Sequence, residues 1–163
     1  MEYNLKILVE TGTYYGDMVE AMKKSFSKIY SIEISETLCA EARRRFKRDR
    51  HIKIIHGDSG TEIEKLVKEL DQPTLFWLDG HYSGGITSKG LKETPIFEEV
   101  NAIVNNMKSQ YVILIDDARC FGTFPDYPSL ELLSNFIKSK DQNANVAVQD
   151  DIIRIIPSDI SPR

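Results

Sequence analysis

Two apolar runs in this chain end in acids. Trp77-Leu78-Asp79-Gly80-His81 closes one and Ile115-Asp116-Asp117-Ala118-Arg119 closes the other. Aspartates in such places accept protons or hold cations, and a histidine with an unperturbed pKa of about 6.5 suits proton abstraction near neutrality, so His81 is a candidate base. A third stretch, Glu10-Thr11-Gly12-Thr13-Tyr14-Tyr15-Gly16-Asp17, follows the apolar run 5–9 and opens a helical pattern. In open α/β sheets a glycine-bearing loop at such a junction holds a cofactor. A pyrophosphate calls for bare N–H groups at the positive end of a helix, yet this loop has Glu10 before its turn and Asp17 at the helix start. Its charge suits a cation-bearing ligand. Glu33 ends the second apolar run, about 21 residues beyond Gly12, where a dinucleotide fold sets an acid on the ribose hydroxyls. Two accepting oxygens fit a vicinal diol, while a surface glutamate favouring a helix dipole is the plainer account.

The elements that must position these groups alternate from end to end. Strands are expected at 5–9, 29–34, 52–56, 74–78, 111–115, 145–149 and 152–156, with helices near 17–27, 36–48, 60–70, 95–107 and 129–140. Ile96, Val100, Ile103, Val104 and Met107 show the helical spacing. Short apolar runs alternating with longer amphipathic stretches imply a mostly parallel sheet. Ser59-Gly60-Thr61-Glu62 reads as a capping box, and Thr94-Pro95 as a cap followed by proline at the first helical position. Only Asp150-Asp151 separates the last two strands, so they form a hairpin and one of them runs antiparallel to the rest.

At 163 residues with 41% hydrophobic content, a single domain over residues 1–163 is expected. Cys39 and Cys120 lack a ligand-type spacing, which predicts neither disulfide nor zinc and suits a reducing compartment. No apolar stretch approaches the ~20 residues of a membrane span and no signal-peptide pattern opens the sequence, so a cytoplasmic protein is expected. The net charge of -4 argues against a dedicated nucleic-acid binder. Arg43-Arg44-Arg45 with Lys47 and Arg48 reads as a solvated helix face or as charge compensating a helix C-terminus.

Taken together, Glu10 with Gly12 and Gly16, the second-strand acid and the closing hairpin resemble the class I S-adenosylmethionine-dependent methyltransferases over nearly the whole chain. Tyr14 stands where that family has its middle glycine. The resemblance implies a three-layer Rossmann-like α/β fold of about seven strands, with a C-terminal antiparallel hairpin. It also implies S-adenosylmethionine as cofactor, contacted by Glu10, Gly12, Thr13, Tyr14, Gly16, Glu33, Asp58, Ser59 and Asp79, with Asp58 accepting from the adenine amino group. For Asp58 a turn or helix-start role stands beside this.

If the strand order is that family's, the fourth and fifth strands are neighbours and three carboxylates converge. Asp79, Asp116 and Asp117 then match the magnesium site of metal-dependent sugar and catechol O-methyltransferases, in which the ion would lower the pKa of an acceptor hydroxyl. His81 would take its proton, with Asp79 beside it. Plainer roles stand alongside: Asp79 on the cofactor amino group, Asp116-Asp117 as a turn, and His81 on a loop carbonyl. The acceptor implied is a hydroxylated small molecule such as a sugar. The glycine- and lysine-containing stretch 82–93 is expected beside the site, and Arg119, Phe121, Phe124 and Tyr127 either line an acceptor pocket or pack their loop down. With so little chain before the first strand, a lid is expected from 82–93, a removed domain or a second subunit in a homo-oligomer. Two other functions fit less well: a nicotinamide or sugar-nucleotide oxidoreductase, and a non-catalytic module that keeps the cofactor cleft.

Overall fold

The computed structural model describes residues 3–80, 94–124 and 127–160. Its strands are β1 (Ile7–Thr11), β2 (Lys28–Glu33), β3 (Ile52–His56), β4 (Thr74–Leu78), β5 (Tyr111–Ile115), β6 (Asn145–Gln149) and β7 (Ile152–Ile156). The helices are α1 (Asp17–Met22), α2 (Glu36–Arg45), α3 (Ser59–Val67), α4 (Ile96–Asn106) and α5 (Leu130–Lys140). The seven strands form one sheet in the order β3-β2-β1-β4-β5-β7-β6. β1 to β5 pair in parallel, and β7 runs antiparallel between β5 and β6. The expected α/β sheet with its closing hairpin is therefore present. Asp150 and Asp151 both take positive φ, 54° and 62°, the backbone of a two-residue turn that matches strand twist.

Every residue of β1 is buried, as befits a central parallel strand covered on both faces. One apolar cluster packs Ile7, Val9, Phe76 and Ile113 with α3, α4 and α5 residues such as Ile63, Val100 and Leu133. On the other face Leu8, Ile29 and Val112 pack with Val19 of α1 and with Cys39 and Ala42 of α2. Both cysteines are free.

The boundaries differ from the sequence reading where tertiary pairing or capping outweighs local pattern. β1 runs on to Thr11 because it pairs with β2 through Thr11↔Ile32 and with β4 through Thr11↔Leu78, so Glu10 lies inside the strand. α1 stops at Met22, where the Ser25 amide turns back to the Met22 carbonyl. Asp58, one residue before the expected Ser59, caps α3 by accepting the Thr61 N–H at 3.2 Å. Thr94 still accepts the Ile96 N–H, at 3.3 Å.

Candidate functional site

The strand order reverses between β1 and β4, and a ligand in an open α/β sheet binds in the crevice outside the strands' carboxyl ends at that point. The loop after β1 is pressed tightly against the end of β4. Gly12 has φ +82°, and a Cβ there would stand 2.4 Å from the Asp79 carbonyl oxygen, so only glycine fits. Gly16 precedes α1 at φ +80°, where a Cβ would meet the Phe46 ring at 2.7 Å. Tyr14, between them, keeps the backbone that the missing glycine would supply: its φ is +48°. Its amide donates to Glu33 Oε2 at 2.8 Å, and the Ser35 amide donates to Glu33 Oε1 at 2.8 Å. Glu33 is thus the clamp that holds a non-glycine residue in a left-handed conformation, a role its spacing did not reveal. Tyr14 and Tyr15 are exposed at 44% and 48%, with ring centroids 4.1 Å apart.

Glu10 projects from β1 into a buried polar relay and is 2% exposed. The Ser31 hydroxyl of β2 donates to Glu10 Oε2, and Thr13 Oγ1 lies 2.6 Å from Ser31 Oγ. Burial pushes the Glu10 pKa from 4.5 up to about 8; the Ser31 hydrogen bond opposes this, and the charges of Asp79 and Glu33 add to it. Three acids from β1, β2 and the end of β4 therefore share one strand-end region, which favours a positively charged occupant. Asp17 does not join them. It pairs with Arg45 Nη1 at 2.7 Å, and the same nitrogen donates to the Tyr15 carbonyl at 2.6 Å. The basic run 43–45 forms the last turn of α2, as expected, with Arg43 Nε also donating to the Ile54 carbonyl at 3.1 Å.

On the other wall, Asp58 and Ser59 begin α3 beside Gly80. A Cβ on Gly80 would lie 3.0 Å from Thr11 Oγ1 and 3.1 Å from Ser59 Oγ. The Asp79 amide donates to both the Thr11 carbonyl and the Thr11 hydroxyl, each at 3.2 Å. Behind these groups lies Glu99 of α4, 1% exposed, which the sequence reading passed over. Its position three residues after Ile96 and one before Val100 on an amphipathic helix was the available signal, since it sets a carboxylate on the buried face. Ser31 and Thr11 were passed over likewise, as polar residues inside apolar strands.

β4 and β5 are neighbours, as the resemblance implied, and the Asp116 amide donates to the Leu78 carbonyl at 3.1 Å. The acids after β5 nevertheless build a turn. The Asp117 amide donates to Asp116 Oδ1 at 2.8 Å, Asp117 takes φ +57°, and Asp117 Oδ1 lies 2.6 Å from Arg119 Nη2. Among the described residues no group of three or more histidines, cysteines or acids is arranged to hold a metal ion. The expected set of Asp79, Asp116 and Asp117 is not drawn together as such a group, and one oxygen of Asp117 is paired with Arg119. Arg119 also pairs with Asp151 of the β6–β7 turn, which anchors the hairpin to the end of β5. Phe121 is a core residue with Tyr127 against its edge, while Phe124 is 53% exposed. His81 and the stretch 82–93 lie outside the described residues.

No protein-family model matches the chain, and no curated protein matches it in sequence. Solved structures do match in shape. The SAH-bound Podospora anserina methyltransferase PaMTH1 superposes with a TM-score of 0.61 at 19% identity, over 94% of this chain and 72% of that one. An rRNA methylase from Streptococcus thermophilus gives 0.56 at 12% identity, over 96% and 89%. The N-methyltransferase NodS from Bradyrhizobium japonicum WM9, in complex with S-adenosyl-L-homocysteine, gives 0.58 at 12%, over 94% and 79%. The fold is the Rossmann-like methyltransferase fold. No helix among the described residues is long and apolar enough to cross a membrane.

Proposed function

We propose that the chain is an S-adenosylmethionine-dependent methyltransferase acting as one domain. The observation that carries this reading is the acid-rich crevice at the β1/β4 reversal. Gly12 there leaves no room for a side chain, and buried Glu10 and Glu33 with half-buried Asp79 favour a ligand with ammonium and sulfonium charge. These residues fit the cofactor: Glu10 and Asp79 face its positive groups, Gly12 and Thr13 let the backbone approach, and Glu33 keeps a lone pair on each oxygen for ribose beyond the amides it already accepts. Asp58 and Ser59 stand where an adenine would be read. When bound, the cofactor supplies an electrophilic methyl group, and the protein's part is to hold the acceptor in line and exclude water.

For the acceptor we propose a hydroxylated small molecule such as a sugar, with His81 as the base. Magnesium has no part in this proposal, given the Asp117–Arg119 pair. A second acceptor class, RNA, is favoured by the exposed basic side chains between Arg43 and Arg50 beside the Tyr14–Tyr15 pair, and rRNA methylases are among the similar structures.

Calorimetric titration with S-adenosyl-L-homocysteine, S-adenosylmethionine and NAD tests the cofactor. Micromolar binding of the two adenosyl ligands alone is expected. Preference for NAD, or no binding, overturns the reading.

A further inference from the structure

Glu99, in the first turn of α4, is a buried acid without a settled partner: neither carboxyl oxygen has a hydrogen bond of ordinary geometry among the described residues. Two hydroxyls bear on it, those of Thr11 at the end of β1 and Ser59 at the start of α3. They are the same hydroxyls that crowd Gly80 at the end of β4. Glu99 therefore stands behind the point where three chain ends converge, and those ends wall the crevice.

A buried carboxyl that lacks partners is costly, far more so when ionised. Burial raises the Glu99 pKa from 4.5 to about 7; the Ser59 and Thr11 hydroxyls oppose this, and the charges of Asp58, from the cap of α3, and Glu98, beside it on α4, add to it. The two protonation states use the hydroxyls differently. A carboxylate has no proton to give, so both hydroxyls donate to it. The neutral acid donates to one and accepts from the other, which frees one hydroxyl hydrogen. Thr11 Oγ1 also accepts the Asp79 amide, so the change reaches the end of β4.

We propose that Glu99 is a positioning residue that acts through the Thr11 and Ser59 hydroxyls to hold the ends of β1, α3 and β4 as crevice walls. Only the consequence for ligand binding rests on reading the crevice as the cofactor site.

The first test needs no variant: amide NMR spectra of the ligand-free protein from about pH 5.5 to about pH 8.5. The Thr11 and Ser59 amides shift with a midpoint of about 7, and Glu99→Gln, whose amide mimics the neutral acid, lacks that midpoint; Gly80 is no reporter because His81 follows it directly. Shifts that remain in Glu99→Gln at higher pH belong to Glu10. In parallel, the ratio of wild-type to Glu99→Gln affinity for S-adenosyl-L-homocysteine falls about threefold or more across the range, with Glu10 cancelling because both proteins carry it. Glu99→Ala binds more weakly than Glu99→Gln at every pH. A midpoint near about 7 that persists in Glu99→Gln, or none in the wild type, overturns the proposal. A wild type that shows the titration but binds no adenosyl ligand refutes the cofactor reading and supports the brace.

Discussion

Replacing Glu10 by glutamine removes a group that the folded chain keeps protonated far beyond the pH at which the unfolded chain lets its proton go. The carboxyl is 2% exposed, and its pKa is raised from 4.5 to about 8. The sign follows from linkage. The folded state binds the proton more tightly, so its contribution to stability is complete below the unfolded value of 4.5 and is lost as pH rises to about 8. At about 1.4 kcal/mol per pH unit, that span corresponds to a loss of about 5 kcal/mol, of which about 3 has gone by neutral pH. Glutamine keeps the shape and can still accept from Ser31, but has no proton to lose. Urea unfolding at a series of pH values measures the difference. Glu10→Gln is expected to gain on the wild type steadily from about pH 5, by about 3 kcal/mol at about pH 7, with the m-value unchanged. Parallel stability curves for the two proteins across this range would refute the reasoning, because they would mean that Glu10 is already ionised in the folded chain at neutrality.

The same proton must leave when a cationic ligand binds beside Glu10. Calorimetry of S-adenosylmethionine near about pH 7 in buffers of differing ionisation enthalpy should register release of most of one proton, and none for Glu10→Gln. Gly12→Ala places a Cβ 2.4 Å from a backbone oxygen at φ +82°; a loss of at least about 2 kcal/mol in urea unfolding, with loss of adenosyl-ligand binding, is expected. Glu33→Ala orphans the Tyr14 and Ser35 amides, so it should cost about 3 kcal/mol of stability as well as ligand affinity; a loss of affinity alone would contradict the clamp. Addition of Mg²⁺ should leave the thermal midpoint of both the wild type and Asp117→Ala unchanged, since Arg119 already neutralises Asp117; a rise confined to the wild type would restore the metal site.

Much of the architecture was legible because it is written in local pattern. Apolar runs of strand length alternating with amphipathic helices dictate a parallel sheet, and a two-residue Asp-Asp link leaves a hairpin as the only way to join its last strands. The glycine loop and the acid that ends β2 were legible for the same reason: backbone freedom at Gly12 and Gly16 and a charge at a strand end are properties of residue type and position. Tertiary structure decided what those residues do. Asp17 and Asp117 looked available for a cation until folding brought Arg45 and Arg119 to them. Glu33, expected to await a ribose, was found holding the backbone of Tyr14. Glu10 became a proton-retaining acid because β1 is central and covered on both faces, with the charges of Asp79 and Glu33 adding to the effect of burial against the Ser31 hydrogen bond. Sequence fixes which groups are present and the period of their elements; their charge state depends on burial and on partners far along the chain, and these exist only once the sheet has assembled.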